Sequence, residues 1–466
     1  MNSQKDAKQL KEELFTKKKN ACLILSDEDI KAADEFCVGY KSFLDDAKTE
    51  REAVKEAVRL AKENGFLEFD FSKKLKPGDK VYKVNRDKAV LLAVIGTDDI
   101  SKGVRISAAH IDSPRIDLKQ NPLYEDGELA LFKTHYYGGI KKYQWTTVPL
   151  SLHGVVFLKT GEKINIVIGE CKDDPVFCIT DLLPHLAQAQ MKRTASEIVK
   201  GEELNILIGS RPFKDDKESE KVKLNIIKLL NEKYGIEEDD FISAELEAVP
   251  AYKARDIGFD RSMIGAYGQD DRVCAYTALK AILDIENPKR TAVTVLTDKE
   301  ETGSDGNTGL NSAYLSYFIS DLAENLGGVP RHVISASECL SADVNAAVDP
   351  TFPDVTEIKN ASKINYGVVV TKFTGSRGKA GTSDASAEYV FRVRELLDRN
   401  SVIWQTGELG KVDLGGGGTV AQYIANLNID VIDVGVPILS MHAPFEIASK
   451  VDTYMAYKSF KVFFED

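Results

Sequence analysis

The sequence predicts an α/β fold: a mixed, mostly parallel sheet sandwiched by helices, with a β-rich segment inserted into it. Three observations carry that expectation. From Asp270 onward, strand-like and helix-like segments alternate, as they do where parallel strands are joined by crossover helices. Between about Pro122 and Val249 the pattern changes to short strands and one long charged helix. Residues of metal-ligand type also stand where predicted strands run out into loops, the end of a parallel sheet at which sites form.

The elements follow in order. Ser26 precedes an apolar stripe, Ile30, Ala33, Cys37, Tyr40 and Leu44, whose three- and four-residue spacing is one face of a helix. Thr49 and Glu52 form a capping box for a second helix ending near Asn64-Gly65. Strands are expected around Lys80–Asn85 and Lys88–Ile95, turning at Asn85–Asp87, and at Gly103–Ala109, which delivers His110. The middle segment reads as strands Val155–Lys159, Ile164–Ile168, Leu204–Ile208 and Phe241–Val249. It also holds a helix Asp216–Tyr234 that buries Val222, Ile226, Leu229 and Leu230. Then come helix Asp271–Asp284, strand Thr291–Leu296, helix Gly309–Asn325, strand His332–Ser337, a helix within Ser383–Arg399, strand Asp430–Val434 and a helix from Lys450.

Composition bounds the function. A chain of 466 residues exceeds the size of one hydrophobic core, so two domains are expected. A net charge of −12 argues against nucleic acid or an anionic membrane as partner. The charged N-terminal stretch and the absence of a long apolar run lead to the expectation of a cytoplasmic protein. Six cysteines without a C-x-x-C pair read as free thiols, so any metal must be held by imidazole and carboxylate.

Five such residues stand in order: His110, Asp270, Glu301, Asp343 and His442. Two histidines and three carboxylates suit two divalent ions sharing one carboxylate, for which Asp270 is the candidate. Asp112, two residues after His110 on an extended chain, would orient that imidazole or support the reacting water. Glu300 and Glu301 would point in opposite directions on an extended segment, Glu301 to a metal and Glu300 to the water as general base. The run Gly415–Gly418 with Thr419 lacks the Lys-Ser/Thr of a phosphate loop, and no G-x-S-x-G elbow occurs. Nucleotide binding and serine-hydrolase chemistry are thereby disfavoured.

In order along the chain, H-x-D-S-P, E-E-x-G-S, S-A-D and M-H make the sequence resemble the M18 metalloaminopeptidases, the aspartyl aminopeptidase and aminopeptidase I group. The resemblance spans nearly the whole chain. It implies a zinc-peptidase-like catalytic domain split between residues 1–115 and 256–466, with 116–255 inserted as a β-rich dimerisation domain. It implies two divalent ions per subunit, zinc by default and cobalt or manganese as substitutes. One would be held by His110, Asp270 and Asp343, the other by Asp270, Glu301 and His442, with Asp112 and Glu300 catalytic. It further implies dimers assembling into a tetrahedral dodecamer, His185 reaching a neighbouring subunit's active site, and Lys372 reading an acidic substrate side chain. The expected activity is removal of the N-terminal residue from peptides, acidic residues preferred, by a hydroxide between the metals. Two alternatives stay open: a related two-metal amidohydrolase, either deacylase or dipeptidase, and a non-catalytic assembly protein on the same fold.

Overall fold

The computed structural model describes residues 6–215 and 217–466. Near the N-terminus, Ser26 and Thr49 each accept a backbone N–H three residues on, opening helices Asp27–Asp46 and Glu50–Glu63 with complete capping boxes. Gly65, at φ +82°, follows the end of the second helix in the left-handed region.

The main sheet has nine strands. Their order is Leu67–Glu68, Lys80–Asn85, Ala89–Val94, Ala292–Thr297, Arg105–His110, Glu338–Ser341, Asp430–Gly435, Val368–Thr371 and Trp404–Thr406. The four central strands from Ala292–Thr297 to Asp430–Gly435 run parallel. Antiparallel pairs lie on both sides of them. Strand Ala89–Val94 is buried at every position. Val90, Leu92 and Val94 enter one apolar layer, and Leu91 and Ala93 enter the other, as a period of two requires. Helices Asp27–Asp46, Gln269–Leu283 and Lys450–Glu465 fill the first layer, and Tyr314–Asn325 the second.

Strand Arg105–His110 lies between Ala292–Thr297 and Glu338–Ser341 in parallel register. The loops leaving these three strands therefore open together at one edge. A five-stranded sheet pairs Met263–Ala266, just before Asp270, with Glu446–Ser449, just after His442. It brings two distant parts of the chain to that same edge.

A third sheet, of seven strands and wholly antiparallel, is built from residues between Arg115 and Pro250. At its centre is the long hairpin Arg115–Asp126 and Leu129–Tyr137, which the sequence reading missed. Pro122 and a register irregularity between Leu118 and Leu123 break its alternation. Its turn was nonetheless signalled by Asp126-Gly127, and Gly127 and Glu128 both take positive φ.

Other expectations need correction. The segment expected as strand His332–Ser337 is a helix, Pro330–Ser335, and the strand is Glu338–Ser341. Pro330, whose fixed φ suits the first helical turn, starts that helix. The preceding helix begins at Tyr314 rather than Gly309, and Gly309 instead packs against the Ser304 backbone where no side chain fits. The charged middle helix covers Lys221–Tyr234, and Asp216, its expected start, lies outside the described residues. Val222 is buried there but Leu229 is half exposed. All six cysteines are free, and no described helix is long and apolar enough to cross a membrane.

Candidate active site

The proposed ligands sit at the ends of elements or in the loops between them. His110 closes strand Arg105–His110, and Asp343 follows Glu338–Ser341. Asp270 lies in the first turn of Gln269–Leu283, where its own φ/ψ is not yet helical and its peptide to Asp271 is cis. Glu300 and Glu301 open a 3-10 turn, Glu300–Thr302, after Ala292–Thr297, and are not the extended pair expected. They still face different partners. Glu300 Oε2 lies 3.9 Å from His110 Nε2, and Glu301 Oε1 lies 3.6 Å from His442 Nε2.

Asp270 joins the two halves. Its Oδ1 is 3.1 Å from His110 Nε2 and its Oδ2 is 3.2 Å from His442 Nε2. The other ring nitrogens are committed elsewhere: His110 Nδ1 donates to the Asp112 carbonyl at 3.0 Å, and His442 Nδ1 to the Gly139 carbonyl at 2.8 Å. With Nδ1 donating, each Nε2 faces a carboxylate oxygen across a gap that either a bound cation or the proton of an imidazolium fills. Asp270 Oδ1 and Glu301 Oε1 are buried with no hydrogen-bond donor. His110, Asp270 and Asp343 offer ligand atoms within 4.8 Å of one another, and so do Asp270, Glu301 and His442. This donor set of imidazole and carboxylate fits divalent metal.

The electrostatics agree. Burial lifts Glu300 to about 7, and lifts Glu301 and Asp343 well above the usual carboxylate range, neighbouring acids adding to the effect. Asp270 moves the other way, because the two imidazoles outweigh its burial. Acids packed this closely repel one another when ionised, so they either keep a proton or share positive charge.

Three supporting groups escaped the sequence reading. Buried Glu446 accepts the His442 N–H at 2.7 Å and the Asp270 N–H at 3.0 Å, clamping two ligand backbones. Its place four residues after His442 was the available signal. The Gly139 carbonyl and the Tyr137 hydroxyl arrive from the end of strand Leu129–Tyr137, and nothing local in Y-Y-G-G announced them. Asp112, fully buried, accepts the N–H groups of Glu300 and Glu301 at 3.1 and 3.2 Å and lies 3.4 Å from His110 Nδ1. Behind Asp343, strand Asp430–Gly435 passes so close that a Cβ on Gly435 would meet the Asp343 carbonyl at 1.6 Å. Only glycine fits there.

The acidic cluster opens into a cavity of about 530 Å³ whose far wall includes Thr371, Phe373, Arg377, Lys379, Lys411 and the glycines 415–418. Lys372 is not on that wall. It lies in the bend just past strand Val368–Thr371, and its ammonium pairs with Asp384, which also holds Lys379 of the cavity wall. His185 is exposed on the loop after strand Cys178–Ile179, at the edge of the seven-stranded sheet, and does not reach this cavity within the chain.

Comparison with known proteins defines the class. The family described as aminopeptidase I zinc metalloprotease (M18) matches residues 43–464. A probable M18 family aminopeptidase 1 of Clostridium acetobutylicum is 50% identical over 461 residues, covering 97% of this chain and 99% of its own. The crystal structure of an M18 aminopeptidase from Thermotoga maritima superposes with a TM-score of 0.92 at 47% identity, covering 97% of this chain and 99% of that one. The mApe1 dodecamer of Saccharomyces cerevisiae, 22% identical, shares the fold at a TM-score of 0.75, over 93% of this chain and 96% of its own.

The chain belongs to the M18 family and is an aminopeptidase, a hydrolase of the zinc metallopeptidase class.

Proposed function

We propose that this chain is a two-metal aminopeptidase that removes single N-terminal residues from peptides. The observation that carries the reading is Asp270, whose two oxygens each face the free nitrogen of a different histidine. His110, Asp270 and Asp343 would hold one divalent ion, and Asp270, Glu301 and His442 the other, zinc first and cobalt or manganese as substitutes. When bound, the ions polarise the scissile carbonyl and make water a nucleophile near neutral pH. Glu300 takes the proton of the attacking water and delivers it to the leaving amine, a role suited to a carboxylate that burial has brought to about 7. Asp112 holds the Glu300 and Glu301 peptides in place for this.

Acidic N-termini are the expected preference, read by Lys372 or by Arg377, Lys379 and Lys411 of the cavity wall, Lys372 and Lys379 sharing Asp384. Residues 1–115 and 256–466 form the catalytic domain. The insertion 116–255 serves dimerisation, placing the exposed His185 at a partner's site, and dimers build a dodecamer like the one described for the yeast protein. The protein acts in the cytoplasm.

The test is metal analysis together with a panel of N-terminal residues. Two zinc ions per chain and faster release of Asp and Glu than of Leu, Ala or Lys are expected. A Glu300→Gln variant should keep its metal and lose on the order of 10²–10⁴-fold in kcat. Turnover confined to N-acyl amino acids would overturn the peptidase reading in favour of a deacylase.

A further inference from the structure

The fully buried Asp112 carboxylate is held from more than one side. Two of its donors are the backbone N–H groups of Glu300 and Glu301, the base and the ligand of the proposed reaction. Another is the hydroxyl of Tyr137, 2.7 Å from Asp112 Oδ2. Tyr137 does not belong to the loops of the main sheet. It is the last residue of strand Leu129–Tyr137, in the seven-stranded sheet.

Its ring is fixed as firmly as its hydroxyl. The guanidinium of Arg115 lies 3.9 Å from the ring centroid. Arg115 is in turn held by Glu247 at 3.2 Å and by Glu50 at 3.5 Å, the latter from the opening helices. Tyr137 and Arg115 face each other across the hairpin in register. Two residues further along, Gly139 receives His442 Nδ1.

We propose that Tyr137 is a positioning residue for the hydrolytic reaction, acting through Asp112 to hold Glu300 and Glu301 where they work. The inference rests on the roles proposed above for Asp112, Glu300 and Glu301. Rotation of Asp112 about its terminal torsion is opposed by the hydroxyl on one oxygen and by a peptide N–H on each. Without the hydroxyl, the peptides of the very residues to be positioned and the His110 ring nitrogen, 3.4 Å away on the other oxygen, remain, and the turn Glu300–Thr302 loses an outside anchor. Tyr137 bonds to Asp112 and does not line the cavity at the acidic cluster, so substrate affinity should be little changed.

The test compares Tyr137→Phe, Asp112→Asn and the double variant in the assembled, zinc-loaded enzyme. Zinc affinity of the stripped protein is measured by competition with a chelating dye. Phenylalanine keeps the ring beneath Arg115 and removes one oxygen, so the melting temperature should stay near that of the wild type.

Tyr137→Phe should lower kcat by about 10- to 100-fold with KM within about twofold, and weaken zinc binding. The double variant should be no slower than Asp112→Asn alone, because the tyrosine acts only through that carboxylate. A Tyr137→Phe enzyme with wild-type kcat and zinc affinity overturns the proposal. So does a rise in KM at constant kcat, which would make Tyr137 a substrate contact, or a double variant whose losses multiply. Should Tyr137→Phe fail to fold, a wild-type zinc affinity in Asp112→Asn would overturn it instead. The parent reading fails separately, in a wild type that binds no zinc or releases no N-terminal residue.

Discussion

Asp270 is the residue on which both halves of the site depend. It is buried, its two oxygens are divided between His110 and His442, and its own N–H is held by Glu446. Replacing it with asparagine preserves shape but removes the charge and one of the two oxygens needed to bridge. The Asp270→Asn variant should retain fewer than one metal ion per chain by elemental analysis, with activity lower by at least about 100-fold. Two retained ions and unchanged kcat would remove Asp270 from the bridging role.

At the scale of elements, the antiparallel sheet is latched to the opening helices by a buried polar cluster. His153, on strand Leu150–Phe157, places Nδ1 2.8 Å from Glu52 of helix Glu50–Glu63 and Nε2 3.1 Å from Glu170. Lys48 donates to the same Glu170 at 2.7 Å and to the Pro250 carbonyl. Burial alone would lower the His153 pKa, but the hydrogen bonds to Glu170 and Glu52 raise it above its ordinary value. A histidine raised on folding stabilises fully below its unfolded pKa of about 6.5, and that contribution is lost as pH climbs through the folded value. His153→Gln should therefore cost about 2 kcal/mol near pH 6, since Glu52 loses its cation while Glu170 keeps Lys48 and Lys253. The gap in melting temperature from wild type should narrow as pH rises. A gap that widens would mean the folded imidazole is neutral.

These two scales also show what was legible in the sequence. His110, Asp270, Glu301, Asp343 and His442 stood out because their chemistry coincided with the ends of buried apolar runs, and the structure gathers them in one cluster. The groups that support them were hidden. Tyr137 and Gly139 come from a hairpin whose alternation is interrupted by Pro122, and what they contribute is a hydroxyl and a backbone carbonyl. Lys372 stands just past strand Val368–Thr371, where no alternation in the sequence says which way its side chain turns. The turn at Glu300 was read as extended because a single 3-10 turn has no periodicity to detect.

For the whole molecule, the acids at the centre of the fold link stability to metal. Glu300, Glu301 and Asp343 are raised by burial and by one another, so bound cations relieve a cost that the folded chain otherwise carries. A ligand present at 1,000 times its Kd adds about 4 kcal/mol to the folded state. Chelation should then lower the melting temperature on the order of 5 °C, and added zinc should restore it. Insensitivity of the unfolding transition to chelator would show that the acids are relieved in another way.

The paired strands Met263–Ala266 and Glu446–Ser449 have a consequence for shortened forms of the protein. They seat His442 beside Asp270, although the two lie far apart along the chain. If these residues share an ion as proposed, a polypeptide cut short before Glu446–Ser449 would lack the strand that anchors the imidazole-bearing loop to its partner, Met263–Ala266, and should show no peptidase activity.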